Sequence, residues 1–295
     1  MRRVYGFAVW MCGLCFGAVS AWGHWRGRGG TGEVAVVLVG AGDIASCDGK
    51  GAEATAKLLD RIPGTVFTAG DNAYEHGTAE EYTNCYAPTW GRHKRRTHPV
   101  PGNHEYETRG AAGYFGYFGA VAGDTGKGYY SYALGAWHVV ALNSNIEMRP
   151  GSAQVRWLRA DLAAHPARCT LAYWHHPRFS SGTTHGSSKD TGPLWRALYE
   201  AGADVVVAGH EHNYERFAPQ DTLGVADRAH GLREFVVGTG GDSHYPLGPR
   251  LANSEVANSA TFGVLKLTLE PAGYRWEFIP VAGKTFTDSG SGACH

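Results

Sequence analysis

Aspartate, asparagine, histidine and tyrosine collect at the ends of five apolar segments of this 295-residue chain. Asp43 closes VGAGD, Asp71 and Tyr74 stand in TAGDNAY, and Asn103 and His104 follow proline and glycine in VPGNHEY. His175 and His176 end AYWHH, and His210 and His212 lie in VAGHEHNYER. Carboxylates, an amide oxygen, imidazoles and a phenol are donors that iron, manganese and zinc accept, and no thiolate is among them. The inventory is large enough for two coordination shells, with one carboxylate bridging ions held ~3.5–4 Å apart as in two-metal hydrolases.

Such donors act together only if the elements before them deliver them to one place. EVAVVLVGAGD (33–43) is a continuous apolar run ended by glycine, which suits a strand buried on both faces, and AEATAKLLDRI (52–62) has helical composition and spacing. TVFTAGD (65–71) reads as a second buried strand. The pattern recurs in QVRWLRADLAAH (154–165), a helix with Ser152 as its N-cap, before the strand CTLAYWHH (169–176). It recurs again in the helix TGPLWRALYEAG (191–202) before the strand DVVVAGHEH (204–212). Short alternations on either side of LGAW predict a hairpin over 128–144, and REFVVGTGG, FGVLKLTL and YRWEFIP read as further strands. Strands alternating with helices imply an α/β layered domain with mixed sheets, starting at Glu33 and running to His295 without an internal repeat. Ligands in such folds bind beyond the carboxyl ends of the strands, so the five loops are expected to converge. Two histidines one residue apart would face opposite sides of a true strand, so His210 and His212 share a site only if Gly209 opens a turn.

The ordered set of segments from Asp43 to Arg216 resembles the calcineurin-like metallophosphoesterases, and within them the purple acid phosphatase branch. The resemblance implies an αββα sandwich with its site on the strand-end loops. It also implies two metal ions: Fe(III) plus a divalent Fe, Zn or Mn. Asp43, Asp71, Tyr74 and His212 look like ligands of the first ion, with Asp71 bridging, and Asn103, His175 and His210 like ligands of the second. Many relatives begin with Asp-x-His, whereas this chain has Ala45 where the histidine stands and where the purple branch usually has glycine. In the purple branch a tyrosinate from a GDxxY segment binds ferric iron, and by that resemblance Tyr74 of GDNAY can fill the vacancy. Taken without the family, Tyr74 reads as an ordinary packing residue. The His-x-Pro spacing selects His175 over His176, leaving His176 as a supporting or structural residue. The activity implied is hydrolysis of phosphate monoesters by metal-bound hydroxide, with a phosphodiesterase or nucleotidase, or a non-catalytic exported metal-binding module, as the alternatives. His104 and His185, the latter in SSGTTH, are the candidate proton donors, and Arg178 and Arg216 are either phosphate contacts or exposed arginines.

Composition narrows the partners. Lys plus Arg equals Asp plus Glu at 27 each, so no global basic field favours polymeric nucleic acid or anionic lipid, and a small phosphate ester is the expected substrate. Gly-rich and aromatic residues 105–119 either wall a substrate pocket or pack in the core. The first residues, with Arg2, Arg3 and an apolar stretch to Val19, read as an export signal ending at Ala21, an uncleaved anchor being the alternative. A glycine-rich lead-in over 22–32 follows, and the mature protein is expected to be secreted, periplasmic or at the cell surface without stable membrane association. Cys12 and Cys15 leave with the signal. Of the three pairings open to Cys47, Cys85, Cys169 and Cys294, Cys47–Cys85 with Cys169–Cys294 is preferred because Cys47 and Cys85 each follow a candidate site loop; free buried thiols are the alternative.

Overall fold

The computed structural model describes residues 34–295; the expected export signal over 1–21, the expected lead-in over 22–32 and Glu33 lie outside the described residues. Chain order runs β1 (Val36–Ala41), α1 (Gly51–Leu59), β2 (Thr65–Ala69), the single turn α2 (Ala79–Glu81), β3 (Thr97–Val100), α3 (Asn103–Glu107) and α4 (Ala112–Phe118). It continues through β4 (Tyr130–Leu134), β5 (Trp137–Ala141), α5 (Ala153–Ala164), β6 (Cys169–Tyr173), α6 (Gly192–Glu200), β7 (Val205–Ala208) and β8 (Tyr214–Phe217). The last elements are β9 (Arg233–Val237), β10 (Ser254–Asn258), β11 (Gly263–Glu270), β12 (Gly273–Pro280) and β13 (Asp288–Ala293).

The strands form two mixed sheets, a six-stranded one ordered β13-β12-β11-β1-β2-β3 and a seven-stranded one ordered β10-β8-β9-β7-β6-β5-β4. Alternation along the central strands sets the layers. On β5 and β6, Trp137, Val139, Ala141, Cys169, Leu171 and Tyr173 enter the larger core cluster. Their neighbours Val140, Leu142, Ala172 and Trp174 join a second cluster that includes Leu158 of α5 and Leu194, Trp195 and Leu198 of α6. Both faces are therefore buried, which is why these strands read as unbroken apolar runs. On the six-stranded sheet the covering helix is α1, which packs against β11 through a face containing Ala52, Ala56 and Leu59.

Local chemistry fixes the helix and turn boundaries. Ser152 caps α5 by accepting a bond from the Val155 amide at 3.3 Å. The hairpin falls at LGAW: Leu134 pairs with Trp137 across Gly135, whose φ is +59°. Because β5, β6 and β7 are mutually parallel, the intervening α5 and α6 run back along the sheet, so their N-termini lie at the edge where the strands end. Cys47–Cys85 and Cys169–Cys294 are disulfides, with Cα separations of 4.8 and 5.4 Å. The aromatic segment is core: Tyr114, Phe115 and Phe118 are buried, and Phe118 meets Tyr82 and Tyr86 edge-on and packs beside Tyr114.

Candidate metal centre

Each donor-bearing loop turns sharply where its strand stops. Asp43, Asp71 and His210 hold positive φ of 61°, 49° and 70°, and Gly70 holds 85°. A left-handed residue just past a strand redirects the chain and swings its side chain across the sheet edge. At His210 this bend breaks the strand alternation, so His210 and His212 both reach the site. Gly70 and Gly102 are required for close approach: a Cβ on Gly70 would strike the His175 ring and one on Gly102 would strike the Asp71 carboxylate. Ala45 has no positive φ, is fully buried and donates its amide to Asn72 O at 3.1 Å, so the loop takes alanine in place of glycine without strain.

The seven expected ligands and His104 come together, in two groups of donor atoms. In the first, Tyr74 Oη lies 3.1 Å from Asp43 Oδ1, 3.2 Å from Asp71 Oδ2 and 3.1 Å from His212 Nε2, and His212 Nε2 lies 3.3 Å from Asp43 Oδ1. In the second, His175 Nε2 lies 3.1 Å from Asp71 Oδ2, 3.0 Å from Asn103 Oδ1 and 3.1 Å from His210 Nδ1. Asp71 Oδ2 belongs to both. Donors bound at ~2.1 Å and right angles to one ion stand ~3.0 Å apart, so these separations are those of neighbouring ligands.

Proton counting gives the same fit. The Tyr74 hydroxyl has one proton for three acceptors, and His175, whose Nδ1 donates to Ala69 O at 2.8 Å, offers one Nε2 proton to three more. A cation in place of each proton would satisfy all of these lone pairs at once. Without one, burial and then the Asp71 and Asp43 charges raise the Tyr74 pKa well above its ordinary value. Burial opposes charge on His175, but Asp71 and then Asp43 outweigh it and raise its pKa to about 9. Burial and then the His175 charge push His176 down to about 3.

Supporting contacts hold the donors in place. Glu105, fully buried, accepts from the amides of Gly102 (2.6 Å), Asn72 (2.8 Å), Asp71 (3.0 Å) and Ala73 (3.3 Å) and from the Tyr82 hydroxyl (3.0 Å). His212 Nδ1 meets Ser243 Oγ at 2.7 Å, and Ser243 donates to Asp242 at 2.8 Å, a relay that turns Nε2 toward the cluster. Tyr245 stacks on His212 at 3.8 Å between centroids. His176 faces Ser144, with Nδ1 2.8 Å from its Oγ, and is a neighbour of the cluster in contact with the His175 and His210 rings. Sequence reasoning missed Glu105, Asp242, Ser243 and Tyr245. Asp242 carried a usable signal, since GTGGDSH follows β9 with the same strand-end signature as the other loops.

At the mouth, His104 donates its amide to Asp71 Oδ1 at 3.0 Å and places Nε2 3.9 Å from Asp71 Oδ2. His185 is exposed and stacks on His210 with ring centroids 4.1 Å apart. Its loop is pinned by buried Glu211, which accepts from the His185 amide at 2.6 Å. Arg216 is no phosphate contact: it pairs with Asp288 at 2.7 Å and with Glu255, over the Trp276 ring.

Residues 37–214 match the calcineurin-like phosphoesterase family. Among curated proteins, probable purple acid phosphatase 20 of Arabidopsis thaliana is 29% identical over 229 residues, covering 67% of this chain and 52% of its own length. Purple acid phosphatase 15 of the same plant is 29% identical over 195 residues, covering 54% of this chain and 37% of its own length. The chain thus spans about half or less of the curated relatives it matches. Purple acid phosphatase PPD1 from yellow lupin (Lupinus luteus) seeds shares the fold with a TM-score of 0.69 at 19% identity, over 88% of this chain and 54% of that one. On the family match, the fold and these relatives, the chain belongs to the calcineurin-like phosphoesterases, and its likeness within them is to the purple acid phosphatases.

Proposed function

We propose that the protein is an exported phosphomonoesterase of the purple acid phosphatase type. The observation that carries this reading is the shared vertex at Asp71 Oδ2, common to a Tyr74/Asp43/His212 group and a His175/Asn103/His210 group. Asp43, Asp71, Tyr74 and His212 would hold an Fe(III) ion, for which a phenolate is a hard anionic donor. Asp71, Asn103, His175 and His210 would hold a divalent Fe, Zn or Mn. When bound, two such cations neutralise phosphate oxygens and bring the pKa of a coordinated water toward neutrality.

The chain's own residues do the rest. The His104 amide holds Oδ1 of Asp71, which leaves Oδ2 as the shared oxygen. His104 Nε2 and the His185 imidazole flank the opening and are the groups that hand a proton to the leaving alkoxide. The substrate is a small phosphate ester, as the balanced charge of 27 against 27 favours, and not a nucleic acid polymer. Two disulfides support a location outside the reducing cytosol, in secreted or cell-surface form without stable membrane anchoring.

The test combines metal analysis with assays on an aryl phosphate and a bis-aryl phosphate from pH 4 to 9. Two metal equivalents with faster monoester turnover support the proposal. Faster diester turnover moves it to a phosphodiesterase, and two equivalents with no hydrolysis of either ester overturn it in favour of a metal-binding module.

A further inference from the structure

A cavity of about 620 Å³ lies on the outer side of the seven-stranded sheet, between the N-terminal parts of α5 and α6. Arg156 and Arg159 reach it from α5, Arg196 from α6, Lys189 from the loop before α6 and Arg178 from the loop after β6, and among the described residues no acidic one lines it. Arg159 is ion-paired with Glu200 at 2.7 Å, and Arg156 is held by the Gly151 carbonyl. Among the described residues no carboxylate pairs with Arg156, Arg178, Lys189 or Arg196. In a chain of zero net charge, these cations are gathered locally against their own repulsion.

One further observation points to a ligand. Arg178 Nε is buried and has no hydrogen-bond partner among the described residues, although the same guanidinium lies over the Phe179 ring at 4.6 Å and donates to Thr222 O at 3.4 Å. That Nε sits beside the start of α6, where a Cβ on Gly192 would be 3.9 Å away; the Gly192 amide is already given to Lys189 O at 3.0 Å and Pro193 has no amide proton, so the guanidinium is the donor left free there. A planar guanidinium with an unused donor and three cations without a carboxylate partner form a receptor for phosphate oxygens. A singly charged anion would leave most of this charge unanswered.

We propose that this cavity binds a multiply charged, phosphate-bearing anion at a site distinct from the Asp71 cluster. It opens at the same sheet edge: Arg178 follows His175 by three residues, so their Cα atoms lie within ~11 Å. The bound group is either the remote phosphate of a polyphosphorylated substrate, which rests on the function proposed above, or a free anion, which does not.

The experiment uses the metal-loaded protein and methylenediphosphonate, a diphosphate analogue that hydrolysis cannot consume. Calorimetry compares wild type with the exposed double variant Lys189→Glu/Arg196→Glu, with equal unfolding midpoints as the folding control. The proposal expects one class of binding site to weaken at least 10-fold in the variant. Unchanged affinity and stoichiometry overturn it. If kcat/KM for a bis-phosphorylated ester falls with that loss while kcat/KM for an aryl monophosphate holds, the anion is part of the substrate. If both hold, it is a separate effector. Because binding is read by heat, a protein that hydrolyses nothing still decides the matter.

Discussion

Tyr74→Phe removes one oxygen and leaves the ring, whose packing against His104 at 4.5 Å and His212 at 6.1 Å keeps the loop in place. In metal-free protein the variant loses the single proton shared among Asp43, Asp71 and His212, a charge-assisted hydrogen bond worth about 1.5–3 kcal/mol. At about 2–4 °C per kcal/mol, the apo midpoint is expected to fall by roughly 3–12 °C. In loaded protein the loss is larger, because removing even a supporting contact of a metal ligand costs about 10–100-fold in affinity and Tyr74 is proposed as a ligand itself. Burial and the two carboxylates raise the Tyr74 pKa, so an Fe(III) ion held by its phenolate, as proposed, would have to expel that proton. Calorimetry in buffers of different ionisation enthalpy should therefore find one proton fewer released by Tyr74→Phe than by wild type, and the visible tyrosinate absorption of the oxidised protein should vanish. A variant that binds both ions with unchanged affinity, proton release and spectrum would refute the reasoning and leave Tyr74 as a packing residue.

Glu105→Ala strands four amides and the Tyr82 hydroxyl in the interior, each at about 1–3 kcal/mol, so denaturant titration should show a loss above about 4 kcal/mol. The buried Glu234 carboxyl, raised to about 8 by burial against the pull of the Arg178 and Phe179 amides, stays protonated in the fold between pH 4.5 and 8, while the unfolded chain releases that proton. Its contribution is complete near pH 4.5 and is lost as pH rises through 8, at most about 5 kcal/mol; Glu234→Gln should flatten the dependence of the melting temperature on pH, and an unchanged slope counts against it. Replacing Cys169 and Cys294 by serine opens a link across 125 residues, for which chain entropy gives about 5 kcal/mol, against about 4 kcal/mol for the 38-residue Cys47–Cys85 link. Melting of the two double-serine variants should rank them in that order.

What the sequence made legible is local. The apolar runs of β1, β2, β6 and β7, the amphipathic α5 and α6 and the turn at Gly135 are set by neighbours a few residues away. So is the strand-end position of Asp43, Asp71 and His175. What stayed hidden depends on distant partners. Glu105 acts on amides 32–34 positions away, and Ser243 on a histidine 31 positions away. Asp288–Ala293, reading DSGSGA, has the composition of a loop and becomes a strand only because β12 offers an open edge with six register pairs. The aromatic residues of α4 carry no mark that separates a substrate wall from a core until Tyr82 and Tyr86 are placed beside them.

The strained loop ends explain why so much buried polar machinery surrounds a few donors. Three non-glycine residues at positive φ cost of order 1–3 kcal/mol each and persist only where other contacts fix them. For Asp43 the fixing contacts are its own amide on Gly70 O at 3.0 Å and its carboxylate, which accepts the His210 amide at 2.9 Å. For Asp71 it is Glu105, holding the Asp71 amide and those of the next two residues. Each bent donor is thereby tied to the backbone of another bent donor or to a carboxylate beneath it. These ties hold the carboxylate, phenol and imidazole donors at the ends of the two sheets at the spacing of neighbouring ligands, which is the arrangement that the proposed pair of ions requires.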